Sequence, residues 1–544
     1  MPSSKCSDVK ASGRVQASGR VLQRQPTCDA GTLASVAKRA SLLQVSASDI
    51  MNGDFLPKLA VENIGAFTEL APSREVAPAR VLTWASACSG SGGDKVVQAA
   101  MASAYKSEGV AVEFETVFDC EEDVEKQKYL QKLQEALHPG LRPCLFKDIS
   151  QLGGETAECV VHDGNRCRVR GVDIFICCTS CKDVSKANKP EGSVFKPKKS
   201  VGGSAQSYRG FLDYLETHRP AVFFFENVDA ITDNVSTGGQ PARSSQDVLL
   251  SDLASRGYEC QPMTLASAFF WVPHSRRRWF LTGVLTKNSR ALDFSRRALK
   301  DIFATFRAFL QVGQRKPPCA SNLLLPDSDP CAEAELQSRL SKPVKIFKYA
   351  VQKYQQMFES HGLRWGETQP PKEVGDSPWW PTLSAEQRDS CMFSLAVDDK
   401  HYLMRDLFWS IGKVRTSSFG PSGHVSFTVL PKQLVMIFPS DGSPRLQLGR
   451  EAMLLQGFPL PKPGSPIADV SENLWHDFAG NMVTLPCCLN ILMSIVAAVD
   501  WRSMSIVKGP GAEELEAAEE AIQMLLPFVA CESPTKTIKK ARVR

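Results

Sequence analysis

A thiol and a carboxyl group each stand at the end of a strongly apolar segment of this sequence. Cys181 lies three residues after the run 172–178, and Glu226 directly follows the run 221–225. A cysteine at such a position is a candidate nucleophile, although Cys181 on its own is more typical of a buried thiol. The phenylalanines before Glu226 would place its carboxyl group in a low dielectric, where it can hold a proton near neutral pH. Because both groups follow predicted strands, the pair favours catalysis over a purely structural role.

Residues 87–93 have the glycine and serine content of a ligand-binding turn. They lie between a predicted strand, 81–84, and a helix that begins near Asp94. Glycines in a strand-to-helix turn let the backbone approach a ligand closely and direct helix N–H groups towards it. A surface turn would have the same composition, so the turn alone decides nothing. Its candidate cofactor-binding residues are Ser89, Gly90, Ser91 and Gly92.

Two acidic residues extend this candidate cofactor site. Glu121 follows the second predicted strand, 112–118, and Asp148 follows a further short apolar run. An acidic residue after the second strand commonly accepts hydrogen bonds from ribose hydroxyls. Ligands of α/β sheets bind at the carboxyl ends of the strands. The pattern therefore predicts an adenosine-type cofactor at that edge.

The elements that must position these residues alternate between short β-rich runs and helical patterns. Such alternation predicts an α/β fold with a parallel sheet, extending to about residue 285. The predicted segments are 81–84, 95–107, 112–118, 121–137, 172–178, 211–217 and 221–225.

Taken in order, these residues resemble the motifs of the S-adenosylmethionine-dependent cytosine carbon-5 DNA methyltransferase family. The resemblance covers about residues 80–285 and 445–500. In the first part, residues 89–93 resemble the family's cofactor loop, and Glu121 and Asp148 its ribose and adenine contacts; Cys181 with Ser185 resembles its Pro-Cys-Gln-x-Phe-Ser loop, Arg209-Gly210 its Arg-Gly pair, and Glu226-Asn227-Val228 matches its Glu-Asn-Val motif. Residues 273–278, still in the first part, resemble its Pro-Gln-x-Arg-x-Arg motif; in the second part, Arg450-Glu451 with 456–459 resembles its Arg-Glu and Gln-Gly-Phe-Pro motifs, and residues 480–483 resemble its Gly-Asn-x-Val motif.

The resemblance implies a Rossmann-like methyltransferase sheet with a smaller target-recognition lobe, S-adenosylmethionine as cofactor and double-stranded DNA as partner. Cys181 would add to carbon 6 of a cytosine that has left the base stack. Glu226 would hydrogen-bond the exocyclic amine and ring nitrogen 3, and Arg278, together with Arg276, would bind the carbonyl oxygen or flanking phosphates. In the closing motif, Asn481 and Val483 would return to the cofactor site. The basic segment 186–207 would close over the DNA.

The sequence also departs from the family pattern within these motifs. Ser180 replaces the proline before the nucleophile, Lys182 the glutamine after it, and His274 the glutamine of the arginine motif. Proline would stiffen the loop that aims the thiol, so Ser180 bears directly on catalytic efficiency.

The motifs divide the chain into five predicted segments. Residues 286–428 lack the strand–helix alternation, and their exposed-looking Trp379-Trp380 pair suits a surface that reads DNA. The segments are a disordered basic N-terminal extension (1–78), a catalytic and cofactor-binding lobe (79–285), a target-recognition lobe (286–428), methyltransferase motifs that return to the catalytic lobe (429–505), and an acidic helix with a basic tail (506–544).

Composition limits the class of protein. Hydrophobic residues make up 43% of the 544 residues, charged residues 23%, and the net charge is +5, which is ordinary for a globular protein. The longest apolar runs are too short to span a bilayer, and the N-terminus lacks the apolar core of a secretory signal. We expect an intracellular monomer without a membrane partner. The basic tail 536–544 indicates the nucleus, and the acid-poor N-terminus leaves an organelle open as the alternative.

Two other functions remain open. One branch of the family resembles the DNA enzymes but modifies tRNA, so RNA is a possible substrate. A cofactor-binding regulator without catalytic activity is the second alternative, against which the presence of Cys181 and Glu226 counts. No metal is expected: Cys159, His162 and Cys167 have metal-like spacing, but a zinc site needs a fourth ligand.

Overall fold

The structure is a computed structural model, and it leaves the predicted acidic helix, the basic tail and residues 1–46 of the N-terminal extension outside the described residues. It describes residues 47–70, 80–110, 112–162, 166–181, 184, 203–237, 240–288, 292–293, 296–344, 351–398, 402–407, 414–420, 423–440, 442–462, 464–499 and 501.

The described residues form helices and strands that are labelled here in chain order. The helices are α1 Ala47–Asn52, α2 Phe55–Leu70, α3 Gly93–Ser107, α4 Val124–Leu137, α5 Gly203–His218, α6 Ser245–Ser255, α7 Arg296–Val312, α8 Pro330–Leu340, α9 Val351–Ser360, α10 Lys372–Gly375, α11 Ala385–Val397, α12 Gly449–Leu454, α13 Glu472–Asn481 and α14 Leu485–Ala498. The strands are β1 Arg80–Ala87, β2 Val112–Cys120, β3 Cys144–Phe146, β4 Thr156–Glu158, β5 Arg166–Arg168, β6 Ile174–Cys177, β7 Val222–Val228, β8 Asn234–Thr237, β9 Gln240–Ser244, β10 Tyr258–Ala266, β11 His274–Ser275, β12 Arg277–Leu285, β13 Lys287–Asn288, β14 Leu292–Asp293, β15 Met404–Asp406, β16 Ser418–Gly420, β17 Gly423–Phe427, β18 Val435–Ile437 and β19 Arg445–Leu446.

A seven-stranded sheet with the order β10-β12-β7-β6-β1-β2-β3 forms the centre of the fold. The five strands from β7 to β3 are parallel, whereas β12 runs antiparallel to both β7 and β10. Strands β6 and β7 are buried along their whole length, as expected of parallel strands covered on both faces. The predicted α/β fold with a parallel sheet is therefore confirmed.

Helix α14 lies in the largest hydrophobic core, and all 14 of its residues are buried. It packs against α2, α3 and α7. No single described helix is long and apolar enough to cross a membrane; α13 and α14, which meet at a bend of 45°, satisfy length and composition only when taken together.

The N-terminal extension was predicted to be disordered through residue 78, and this is wrong for residues 47–70. Helix α2 places Leu59 in the core and stacks Phe67 on Phe309 of α7, with ring centroids 4.2 Å apart. The Asn63 amide donates to Asn490 Oδ1 of α14 over 2.9 Å. Apolar residues recur with helical spacing in this segment, and that pattern was outweighed by the polar composition around it.

The predicted lobe 286–428 also needs correction. Helix α7 lies within it in sequence but packs in the main core, where Ile302 and Phe306 are fully buried. Trp379 is not exposed: it belongs to a separate small core with Leu336 and Leu383. An aromatic pair in a Pro-rich sequence does not reveal which ring will be covered, because packing decides that.

Candidate active site

The first three parallel strands bring the predicted cofactor residues to one edge of the sheet. The Ser89 amide donates to the carbonyl of Cys120 at the end of β2, over 3.2 Å. The Gly90 amide donates to Glu121 Oε2 over 2.8 Å, and the Glu121 amide donates to the carbonyl of Phe146 at the end of β3. The turn after β1 and the acid after β2 are therefore in direct contact.

The turn itself depends on Gly92. Its φ of 63° lies in the left-handed region, and its amide donates to the Ser89 carbonyl over 2.7 Å. An added Cβ would lie 2.5 Å from Leu133 Cδ2 of α4. Glycine is thus needed both for the backbone conformation and for the approach of the turn to α4.

Beneath the turn lies a buried ion pair that the sequence interpretation missed. Lys95 Nζ lies 2.6 Å from Asp119 Oδ2, and both side chains are almost fully buried. Ser86 donates to Asp119 Oδ1 and also shares a hydrogen bond with Ser89 of the turn. Burial and then the Asp119 charge raise the pKa of Asp94 to about 6. The sequence does contain a signal for this ion pair, because Lys95 lies among the inward-facing residues of α3. An isolated buried charge is costly, so a buried lysine indicates an acidic partner.

Glu121 and Asp148 occupy different surroundings. Glu121 is buried, and burial raises the pKa of its carboxyl group although backbone amides of Asp123 and Gly90 oppose the shift. Asp148 Oδ1 accepts from the Ser150 amide and caps a short 3-10 turn. Its Oδ2 makes no hydrogen bond within the part of the chain that the structure describes, so it is available to a ligand.

The Arg209-Gly210 motif positions Asp148 indirectly. Helix α5 crosses the turn after Asp148, and an added Cβ on Gly210 would lie 2.6 Å from the Ile149 carbonyl oxygen. The absence of a side chain at Gly210 therefore lets α5 pack against this turn.

Cys181 follows β6, and Glu226 lies near the end of the adjacent parallel strand β7. The loop that carries the thiol is held from β7, because the Asn227 amide donates to Thr179 Oγ1 over 3.2 Å. Burial and then the charge of Glu226 raise the pKa of the Cys181 thiol, while Arg278 and Arg276 act in the opposite direction. The two groups therefore follow adjacent parallel strands and influence each other electrostatically, and their catalytic roles stay predictions.

Glu226 is buried and ion-paired. Arg278 Nε lies 3.2 Å from Glu226 Oε1. The two residues are diagonal neighbours across β12 and β7, because Arg278 pairs with Val228 and Glu226 pairs with Phe280. Burial raises the pKa of the Glu226 carboxyl group, and the charges of Arg278 and Arg276 lower it. Among the described residues, Arg278 is the ion-pair partner of this buried carboxyl group.

Arg276 does not have the substrate-binding geometry that the motif implied. Its guanidinium is buried and donates to the carbonyl oxygens of Val429, Gly480 and Met482 at 2.9–3.1 Å. Burial lowers its pKa to about 9. Because these contacts take up both terminal nitrogens, Arg276 fixes backbone segments and does not reach the cytosine or a phosphate.

Apolar side chains within and just after the closing motif pack against the start of α3, where Met482 Cε would lie 3.5 Å from a Cβ added to Gly93. Val483 is buried, and Leu485 Cδ2 would lie 2.7 Å from a Cβ added to Gly93 at the start of α3. Asn481 is exposed, and its amide donates back to the Asp477 carbonyl over 3.0 Å. A direct role of the Asn481 side chain in cofactor binding stays a prediction.

A model of the family described as C-5 cytosine-specific DNA methylase matches residues 101–461. The chain belongs to that family.

One curated relative is the DNA (cytosine-5-)-methyltransferase DMT5 of Cryptococcus neoformans, which is 25% identical over 463 residues. The match covers 80% of this chain but only 18% of the relative, so the chain spans less than a fifth of that protein's length. Among solved structures, the Dnmt2 methyltransferase of S. pombe is 12% identical, with a TM-score of 0.37 over 76% of this chain and 98% of the other. The Entamoeba histolytica methyltransferase EhMeth is also 12% identical, with a TM-score of 0.38 over 77% and 98%.

Ser180, which replaces the family proline, has a hydrogen-bond partner. Ser204 at the start of α5 donates to Ser180 Oγ over 3.2 Å. This bond restrains the nucleophile loop from outside, where proline would stiffen it from within. Lys182 and residues 185–202, which include most of the predicted DNA-closing segment, lie outside the described residues, and residues 203–207 belong to α5.

We predict that Ser180→Ala lowers the kcat/KM of methyl transfer about five-fold, as expected for loss of a hydrogen bond worth about 1 kcal/mol. Ser180→Pro should keep or raise the efficiency, because proline restores the stiffness of the loop. A double-mutant cycle with Ser204→Ala measures the coupling and discounts the other contacts of Ser204. Strictly additive losses would contradict the restraint.

His274, which replaces the family glutamine, is fully buried and accepts a hydrogen bond from the Val429 amide at Nε2 over 2.9 Å. Burial and the charges of Arg276 and Arg278 hold the pKa of His274 well below its usual range. The neutral ring therefore supplies the acceptor that a glutamine carbonyl would supply. Below about pH 6.5 the histidine ring binds a proton in the unfolded chain but stays neutral in the folded one. The free energy of unfolding therefore decreases as pH falls.

We predict that His274→Gln removes this acid sensitivity. Between pH 7.5 and 5.5 the wild type should lose about 1.4 kcal/mol more unfolding free energy than His274→Gln. His274→Leu should cost about 1–3 kcal/mol at both pH values, because it leaves the buried Val429 amide without an acceptor. Chemical denaturation at the two pH values makes the measurement, and equal acid sensitivity of wild type and His274→Gln would refute the neutral ring.

Proposed function

We propose that this protein methylates carbon 5 of cytosine in DNA and uses Cys181 as its covalent nucleophile. The observation that carries the proposal is the placement of Cys181 and the Glu226–Arg278 pair on adjacent strand ends. The name of the Cryptococcus relative supports DNA as the substrate. The family model supports the reaction class.

The residues at the neighbouring strand ends suit S-adenosylmethionine. Glu121 offers a buried carboxylate at the turn, and Asp148 offers a carboxylate oxygen that has no hydrogen-bond partner among the described residues. Carboxylate oxygens accept the hydrogen bonds that ribose hydroxyls and an adenine amino group donate. When bound, S-adenosylmethionine supplies an electrophilic methyl group to carbon 5.

Cytosine carbon 5 is a poor nucleophile until carbon 6 is attacked. The Cys181 thiolate forms a bond to carbon 6, and the electron pair of the ring double bond becomes available at carbon 5. Charge builds at ring nitrogen 3 and the carbonyl oxygen as this bond forms. Transfer of the carbon 5 proton to solvent then returns the C–H electron pair to the ring, which restores the double bond, breaks the carbon 6–sulfur bond and releases the thiolate.

Glu226 and Arg278 stabilise that charge. A protonated Glu226 donates to ring nitrogen 3 while its other oxygen accepts from the exocyclic amine, which selects cytosine. Burial raises the pKa of this carboxyl group, which favours the protonated form that the proposal uses. Arg278 orients the carboxyl group from β12 and directs positive charge towards the base. The base has to leave the stack to reach these groups.

We predict that Cys181→Ala abolishes methyl transfer and leaves the affinity for S-adenosylhomocysteine nearly unchanged, because the thiol faces the base. Cys260→Ala is the matched control, as a half-buried thiol on β10. The wild-type rate should rise with pH, since the raised pKa of Cys181 keeps most of the thiol protonated near neutrality.

The assay measures transfer of labelled methyl groups to double-stranded DNA and to tRNA, with bisulfite mapping of the product. DNA containing 5-fluorocytosine should form a covalent complex with wild type and none with Cys181→Ala. Transfer to tRNA alone would reject the DNA substrate. Cofactor binding without transfer or covalent complex would make the protein a regulator.

A further inference from the structure

Three cysteines and one histidine converge at the β3 edge of the central sheet, away from the proposed nucleophile. Their ligand atoms all lie within 4.8 Å of one another. Cys144 comes from β3, and Cys167 from β5; Cys159 directly follows β4, and His162 lies in the connection between β4 and β5. Cys144, the member farthest away in sequence, is brought in by strand pairing.

The three sulfur atoms surround a single nitrogen. His162 Nδ1 lies 3.6 Å from Cys144 Sγ, 3.3 Å from Cys159 Sγ and 3.5 Å from Cys167 Sγ. A neutral ring nitrogen has one lone pair and can accept from one thiol. Hydrogen bonding therefore does not account for an arrangement in which three thiols approach the same atom.

The distances match those around tetrahedral zinc. With Zn–S bonds of about 2.3 Å and Zn–N bonds of about 2.0–2.1 Å, a tetrahedral angle places ligand sulfur and nitrogen about 3.6 Å apart. Three thiolates and one imidazole are also a usual ligand set of structural zinc. We propose that Cys144, Cys159, His162 and Cys167 bind one Zn²⁺ ion.

Four protein ligands leave no open position, so the role of this ion is structural. Strands β4 and β5 are short and antiparallel, and they meet the edge of the sheet through a bridge between Phe146 and Cys159 and hydrogen bonds beside it. Such a small hairpin buries little apolar area. Zinc ties the hairpin to β3, so that the hairpin covers the sheet edge, and it holds the chain at Cys144, four residues before Asp148.

The metal content of the purified full chain tests the proposal independently of methyl transfer. Mass spectrometry of metals should find one zinc per chain, and the variants Cys159→Ser and Cys167→Ser should lose it. Cys260→Ser, a thiol outside the cluster, should keep it. Wild type with Co²⁺ in place of zinc should show the sulfur-to-cobalt charge-transfer absorption and the visible bands of a tetrahedral thiolate site, which needs no variant.

Removal of the ion by a chelator should lower the unfolding temperature and weaken binding of S-adenosylhomocysteine, and added Zn²⁺ should restore both. Zinc-free wild-type protein whose cluster thiols all react with a thiol reagent would overturn the proposal. A disulfide within the cluster, found by mass mapping of freshly purified protein, would overturn it as well.

Discussion

The buried guanidinium of Arg276 is the interaction on which the rest of the site depends. A buried cation is costly unless its donors are satisfied, and both terminal nitrogens of Arg276 donate to carbonyl oxygens of Val429, Gly480 and Met482. These residues lie 153 or more positions away in sequence. One side chain next to β12 therefore holds the C-terminal motifs against the catalytic lobe.

This restraint connects the two halves of the site. Strand β12 carries Arg278 to Glu226 on β7, while the segment that Arg276 holds continues into α14. Leu485, the first residue of that helix, contacts the turn at Gly93. The backbone of Gly480 lies against Pro431, where a Cβ would not fit. The position of the cofactor turn and the charge beside the nucleophile thus depend on the same junction.

The sequence predicted the sheet and the residues at its carboxyl edge, because the apolar runs of buried strands and the residues that follow them are local features of the sequence. It did not predict where Arg276 points: this residue lies just before β12, so strand alternation with Arg278 does not apply. It also missed Cys144 as a fourth ligand, because the register between β3 and the β4–β5 hairpin is a tertiary feature. Helices α2 and α7 were assigned to the wrong segments because the assignment relied on composition. Tertiary packing, which composition does not show, decides which amphipathic helices are buried in the core.

Amide hydrogen exchange in Arg276→Lys tests the central claim most directly, with Arg277→Lys as control because Arg277 is exposed. Lysine keeps the charge but lacks the planar fork that reaches several carbonyls at once. Protection should fall together in segments 429–433 and 480–485 of Arg276→Lys and stay unchanged in the control. Unchanged protection in both segments, combined with loss of methyl transfer, would contradict this account. It would indicate instead that Arg276 contacts the substrate.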